Sequence, residues 1–146
     1  MQFRPSIALV LSIVGILSLE ISWTDGCTCF METRREKCQR STFGFIGYPY
    51  FAGRTNIGGM EYNRFCFFIV RIHKGLSVVF GEPCVYSSVS SAACGTGFYS
   101  GSLSIVNGYI ESGVKQVNLC GWNERWRSVP SFVKFMFLTQ PNWCYA

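Results

Sequence analysis

Cys27 and Cys29, with Thr28 between them, are the residues of this sequence best placed to do chemistry. A hydrophobic stretch precedes them. If the chain is cut after Gly26, Cys27 becomes a terminal residue whose α-amino nitrogen lies beside its own carbonyl oxygen. That pair of atoms can chelate a metal ion held by another protein. The amine must be neutral to do so, and its ordinary pKa of about 7.7–8.0 makes this feasible near pH 7. The thiols also have a purely structural use as disulfide anchors. All eight cysteines follow Gly26: Cys27, Cys29, Cys38, Cys66, Cys84, Cys94, Cys120 and Cys144. An even number in an exported chain points to four disulfides. Eight cysteines allow about 105 pairings, so the sequence does not fix the partners. With no CxxC pair and a single histidine, His73, a zinc site of the chain's own is not expected.

The elements around these residues begin with a leader. Residues 1–26 have the layout of a secretory signal peptide: Arg4, the apolar run Ile7–Leu19, then the polar Glu20–Gly26. Gly26 and Thr24 favour a cut before Cys27, while Ser18 and Ser22 offer other cut positions. The apolar run of 13 residues is too short to span a bilayer as a helix, and no later run is long enough. Without the leader, 12 basic residues face six acidic ones, a net charge of +6. Such a balance suits simple solubility, or a secreted protein that meets heparin-like glycans. Export argues against nucleic acid as a partner. The remaining 120 residues suit one domain, 27–146. They contain no Asp and one His, so no Ser–His–Asp triad, histidine metal triad or paired-Asp site can form. An enzyme is not expected, and neither is a cofactor.

The rest reads as mostly β. Met31–Cys38 makes one or two helical turns. Ser41–Tyr50 is a bent or bulged strand interrupted by Gly44, Gly47 and Pro49. Phe51–Met60, with three glycines, reads as a loop. Tyr62–His73 is the clearest strand, apolar on both faces, as in a central strand or a closed barrel. Lys74-Gly75 turns the chain, Leu76–Phe80 starts another strand, and serine-rich Cys84–Ala93 reads as a surface loop. Leu103–Ile110 and Val114–Leu119 form a hairpin around Glu111-Ser112-Gly113, with Asn107-Gly108 as a competing turn. Ser128 suits an N-cap and Pro130 a first turn; Val129, Phe132, Val133 and Met136 share one helical face, and Pro141 ends the helix. His73 reads as a strand-end polar residue, and Trp122, Trp126 and Trp143 as packing. About five strands with a helix near each end favour a small closed barrel.

In this order the motifs resemble the netrin-like (NTR) domain, and in particular the N-terminal domain of the tissue inhibitors of metalloproteinases. The resemblance rests on Cys27-Thr28-Cys29 behind a leader, Cys38, and the long strand ending Ile72-His73-Lys74-Gly75. It continues through Ser90-Ser91-Ala92-Ala93-Cys94-Gly95, Ile105-Val106-Asn107-Gly108, Leu119-Cys120, and Trp126 followed by Cys144. It covers most of residues 27–146. It implies an OB-like, five-stranded Greek-key barrel with flanking short helices. It also implies the disulfides Cys27–Cys94, Cys29–Cys120 and Cys38–Cys144, leaving Cys66 and Cys84, which have no counterpart there, to pair with each other. The function implied is inhibition of zinc metalloproteases of the matrix metalloproteinase type by a secreted, extracellular monomer. Cys27 would chelate the target's zinc, and Thr28 would enter the first pocket beyond the scissile position. Cys29, Phe30 and Ser91, Ala92, Ala93 and Cys94 would complete the contact ridge. Two features depart from that pattern. Gln39–Tyr50 lacks the family's regular apolar strand with its Arg-Ala step, and the inhibitors' second domain has no counterpart after Cys144. The alternative is a netrin-like extracellular binding module for matrix, glycan or surface proteins, without inhibitory activity.

Overall fold

The computed structural model describes residues 26–145. The leader read over residues 1–26 therefore lies, Gly26 apart, outside the described residues. Helix α1 (Arg34–Arg40) opens on a capping box: the Thr33 hydroxyl accepts from the Glu36 amide, and the Glu36 carboxylate accepts from the Thr33 amide. Strands β1 (Phe43–Ile57) and β2 (Met60–Lys74) form a long antiparallel hairpin turned by Gly58-Gly59, both at positive φ. The register of this hairpin shifts at Gly44/Phe45, Ile46/Gly47 and Phe51/Arg54, so β1 is bulged, as its glycines predict. At Gly47 a Cβ would lie 2.8 Å from the Phe68 carbonyl, too close for any side chain.

Strands β3 (Cys84–Ser88), β4 (Ser104–Glu111) and β5 (Val114–Gln116) complete a ring in the order β1-β2-β3-β5-β4, with β4 pairing back onto β1. A two-residue β6 (Glu124–Arg125) pairs with the start of β4. The architecture is the expected mostly β, OB-like barrel with short helices. Every pairing is antiparallel except β3 with β5, which is parallel and has a single bridge, Tyr86 with Gln116. The Val117 amide adds a bond to the Tyr86 carbonyl at 3.0 Å. This is the thinnest seam of the ring.

Successive residues of a strand face opposite ways, and here each way leads to a core. Phe43, Phe45, Phe65, Phe67, Val79, Val85, Val106 and Val117 fill the inside of the ring. Cys38, Ile46, Ile105, Trp122, Val129, Phe137 and Cys144 form a second cluster, which brings α1 and α3 (Ser131–Thr139) against the outside of the ring. Ile105 and Val106 are neighbours in β4 and belong to different clusters. Trp122 and Trp126 meet Phe137 edge-on, at 5.5 and 5.9 Å between centroids, so they serve as packing.

Several local expectations change. Residues 51–57 are not a loop but the outer half of β1, because β2 pairs with them as far as Ile57–Met60. Leu76–Phe80 is not a strand but lies in α2 (Leu76–Gly81): Gly75, at φ +67°, turns the chain off β2 and Val79 enters the core. Cys84–Ser88 is a strand rather than surface loop, with Val85 and Ser87 fully buried. Ser128 ends a 3-10 turn (Trp126–Ser128) rather than capping α3, whose N-cap position is Pro130. Phe137, not Phe132, is the inward aromatic of that helix. Among the described residues no helix is long and apolar enough to cross a membrane.

Candidate functional site

Residues 26–33 have no regular secondary structure and run across the barrel as a strip. Two disulfides hold it: Cys27 to Cys94 and Cys29 to Cys120. The other two are Cys38–Cys144 and Cys66–Cys84, and no cysteine is free among the described residues. The strip's two disulfides touch each other. Cys120 Sγ lies 4.0 Å from Cys27 Sγ and 3.7 Å from Cys94 Sγ. Cys94 follows β3 and Cys120 follows β5, so the strip staples the two strands that meet at the thin seam. These sulfurs and the trio Cys38, His73 and Cys144 are close enough to suggest metal clusters. As disulfide sulfurs, however, they lack the thiolate charge that binds zinc.

The strip leaves much of its surface open. Thr28 is exposed, and Phe30 is 84 % and Met31 fully exposed. Ser91, Ala92 and Ala93 are also exposed and lead directly into Cys94. The structure therefore brings Cys27–Phe30 and Ser91–Cys94 together through one disulfide. A cleft of about 420 Å³ runs between Thr28, Cys29 and Phe30 on one side and Lys37, Arg40 and Tyr109 on the other.

The loop that receives Cys27 is tightly specified. Cys94 sits at φ +57°, a left-handed conformation unusual for a residue with a Cβ. Its amide bonds the Ser91 carbonyl at 3.1 Å and its carbonyl accepts from Leu119 at 2.8 Å. Gly95 packs so closely on the Ser88 carbonyl that no side chain fits there. The buried Ser87 hydroxyl accepts from the Thr96 amide at 2.7 Å.

Asparagines set the position of Cys120. The Asn118 carboxamide oxygen accepts from the Cys120 and Gly121 amides at 3.0 and 3.1 Å. Asn118 Nδ2 donates to the Tyr109 hydroxyl at 3.1 Å. Asn123 bridges onward, donating to the Asn118 carbonyl and accepting from the Asn107 amide, both at 2.9 Å. Sequence reasoning missed this network. The turn falls at Ser112-Gly113, within the expected Glu111-Ser112-Gly113, and the competing turn residues Asn107 and Gly108 lie inside β4.

The second, buried cluster anchors the base of the site. Asn107 Nδ2 reaches Cys38 Sγ at 3.3 Å, Ser41 Oγ at 3.1 Å and His73 Nε2 at 3.1 Å. Burial pushes His73 down to about 4, against a favourable bond from Asn107, with Arg71 and Lys74 adding repulsion. His73 is thus a neutral packing residue against Phe137, as its place at the strand end implies. At the other edge Glu124 accepts from Arg34 Nε at 2.5 Å and Trp122 Nε1 at 2.7 Å. Burial works to raise the Glu124 carboxyl, but these two bonds and the nearby Arg34 and Lys37 charges hold it below its ordinary range.

Four disulfides in so small a domain are the chemistry of an oxidising compartment. No family model matches the chain. It is 39 % identical over 146 residues to an NTR domain-containing protein of Margaritifera margaritifera, covering 99 % of each chain. Identity of that extent, over a disulfide-stapled five-strand ring, makes this chain a member of the NTR-domain family.

Proposed function

We propose that this NTR domain is a secreted inhibitor of zinc metalloproteases whose terminal Cys27 chelates the target's zinc. The observation that carries this reading is the exposed Cys27–Phe30 strip, tied by two disulfides beside the exposed Ser91–Ala93 segment. A catalytic zinc keeps one coordination position open for water. The neutral amine and the carbonyl oxygen of Cys27 would take that position and remove the nucleophilic water. The disulfides fix the strip in advance, which lowers the ordering cost of binding. Thr28 would enter the protease pocket next to the zinc. Phe30 and Ser91, Ala92, Ala93 and Cys94 would widen the contact. The domain would act without a catalytic step of its own.

Chelation requires the Gly26–Cys27 bond to be cut, because an amide nitrogen does not offer its lone pair to zinc. The test is N-terminal sequencing of the secreted protein and an assay against a panel of matrix metalloproteases. A variant with one Ala placed before Cys27 is assayed beside it. The reading expects Cys27 at the terminus, inhibition by the natural form and none by the Ala-extended form. A different natural terminus, or equal inhibition by both forms, overturns it in favour of an extracellular binding module in which the cysteines only anchor disulfides. A heparin-type site on Arg34, Arg35 and Lys37 draws less support, since Arg34 is already ion-paired with Glu124.

A further inference from the structure

Helix α3 carries large apolar side chains outward as well as inward. Phe137 turns into the second core, while Phe132, Phe135 and Leu138, spaced at i, i+3 and i+6, are 72, 62 and 47 % exposed. Large apolar side chains exposed together on one helix face mark a surface that ordinarily has cover. The charges around this one indicate what the cover is. The segment from Arg125 to Tyr145 holds Arg125, Arg127 and Lys134 and no Asp or Glu. Two further cations arrive from other elements: Arg35 lies over the Trp143 ring at 5.4 Å, and Arg71 over the Phe137 ring at 6.0 Å. Lys134 sits over Trp126 at 5.5 Å. The ion pairs of the described residues use different cations: Arg34, Arg40, Arg54 and Arg64. Arg35, Arg71, Arg125 and Lys134 therefore lie over aromatic rings, and neither they nor Arg127 has a carboxylate partner among the described residues.

We propose that this face docks on an anionic lipid surface. Phe132, Phe135 and Leu138 would enter the boundary between headgroups and acyl chains, while Arg35, Arg127 and Lys134 meet the lipid phosphates. With nine residues the helix lies in the interface and does not cross it. A second copy of the chain fits poorly, because a twofold contact would set one group of unpaired cations against another.

The test is co-sedimentation of the secreted protein with vesicles of phosphatidylcholine alone and of phosphatidylcholine mixed with phosphatidylserine. Binding is expected to the mixed vesicles, weakening with added salt. Phe135→Ser should lower partitioning about tenfold or more, and Lys134→Ala about fivefold. Arg54→Ala, on the β1–β2 hairpin, should leave it unchanged. Phe135 and Arg54 are exposed and Lys134 is half-buried, and circular dichroism verifies that each variant is folded. No binding to the mixed vesicles overturns the proposal, as does equal binding by Phe135→Ser. Self-association without vesicles that Phe135→Ser abolishes also overturns it, by assigning the face to a second copy.

Discussion

Two pairs of cysteines in this domain form the same bond in opposite settings. Cys38–Cys144 is buried among Ile46, Ile105, Trp122 and Phe137, with Asn107 hydrogen-bonded to the Cys38 sulfur. Cys27–Cys94 is half-exposed and joins a strip without regular structure to a loop whose neighbours are solvent-facing Ser91–Ala93. The first bond is part of a core and shares its stabilisation with hydrophobic packing. The second lies outside both hydrophobic clusters, beside the Cys29–Cys120 bond, and these two disulfides together give the strip its fixed shape. A core tolerates little rearrangement, whereas an exposed strip can change its residues while its anchors stay. That difference suits the strip to the contact proposed for it, and Cys38–Cys144 to holding the helices against the ring.

The contrast can be broken at the core first. Replacing Cys38 and Cys144 together by Ala should cost about 5 kcal/mol, since the bond closes a loop with a sequence separation of 106 and its loss leaves space in the second cluster. Urea unfolding measures this. The next effect is acid-dependent. His73 is held down to about 4 in the fold, against an ordinary value of 6.5. The unfolded chain therefore binds the extra proton between these values. Stability contributed by neutral His73 is complete above about pH 6.5 and is lost as pH falls toward 4, by roughly 3 kcal/mol in all. His73→Gln should flatten that part of the stability–pH curve, and an unchanged slope would place the acid sensitivity elsewhere. The smallest effect belongs to the strip. Cys27→Ser with Cys94→Ser should cost about 2 kcal/mol, the low end for a disulfide, because it releases exposed chain. Hydrogen exchange should quicken at the Val117 amide, at the seam, and not at the Thr42 amide, which bonds Gly108 across the β1–β4 pairing. A loss equal to that of the core variant would erase the distinction between the two disulfides.

Much of this arrangement could be read from residue order. The Cys27-Thr28-Cys29 motif, the bulge-prone Ser41–Tyr50 stretch and the doubly apolar Tyr62–His73 strand each carry a local signal, and the barrel follows from them. What escaped had no local signal. Leu76–Phe80 has the β-branched pair Val78-Val79 and reads as strand, yet Gly75 redirects the backbone and packing against the ring interior decides for helix. Cys84–Ala93 is serine-rich as a whole and reads as loop, yet its first half, Cys84–Ser88, is a strand because β2 pairs with it from Cys66 to Tyr62. Asn107 looks like half of a turn, but its partners Cys38, Ser41 and His73 lie 34 to 69 residues away in the chain. Only the closed ring gathers them.

The single parallel bridge between β3 and β5 has a consequence for motion. Local opening follows the path of fewest bonds, and here that path runs between Tyr86 and Gln116. Lys115, buried at the seam, donates to the Val78 and Glu82 carbonyls and braces one side. The strip bolts the other side through Cys94 and Cys120. Opening of the seam and displacement of the strip are therefore mechanically linked through these two bonds. A partner that grips the strip must also quiet the seam, and anything that loosens the seam must weaken that grip by the same factor.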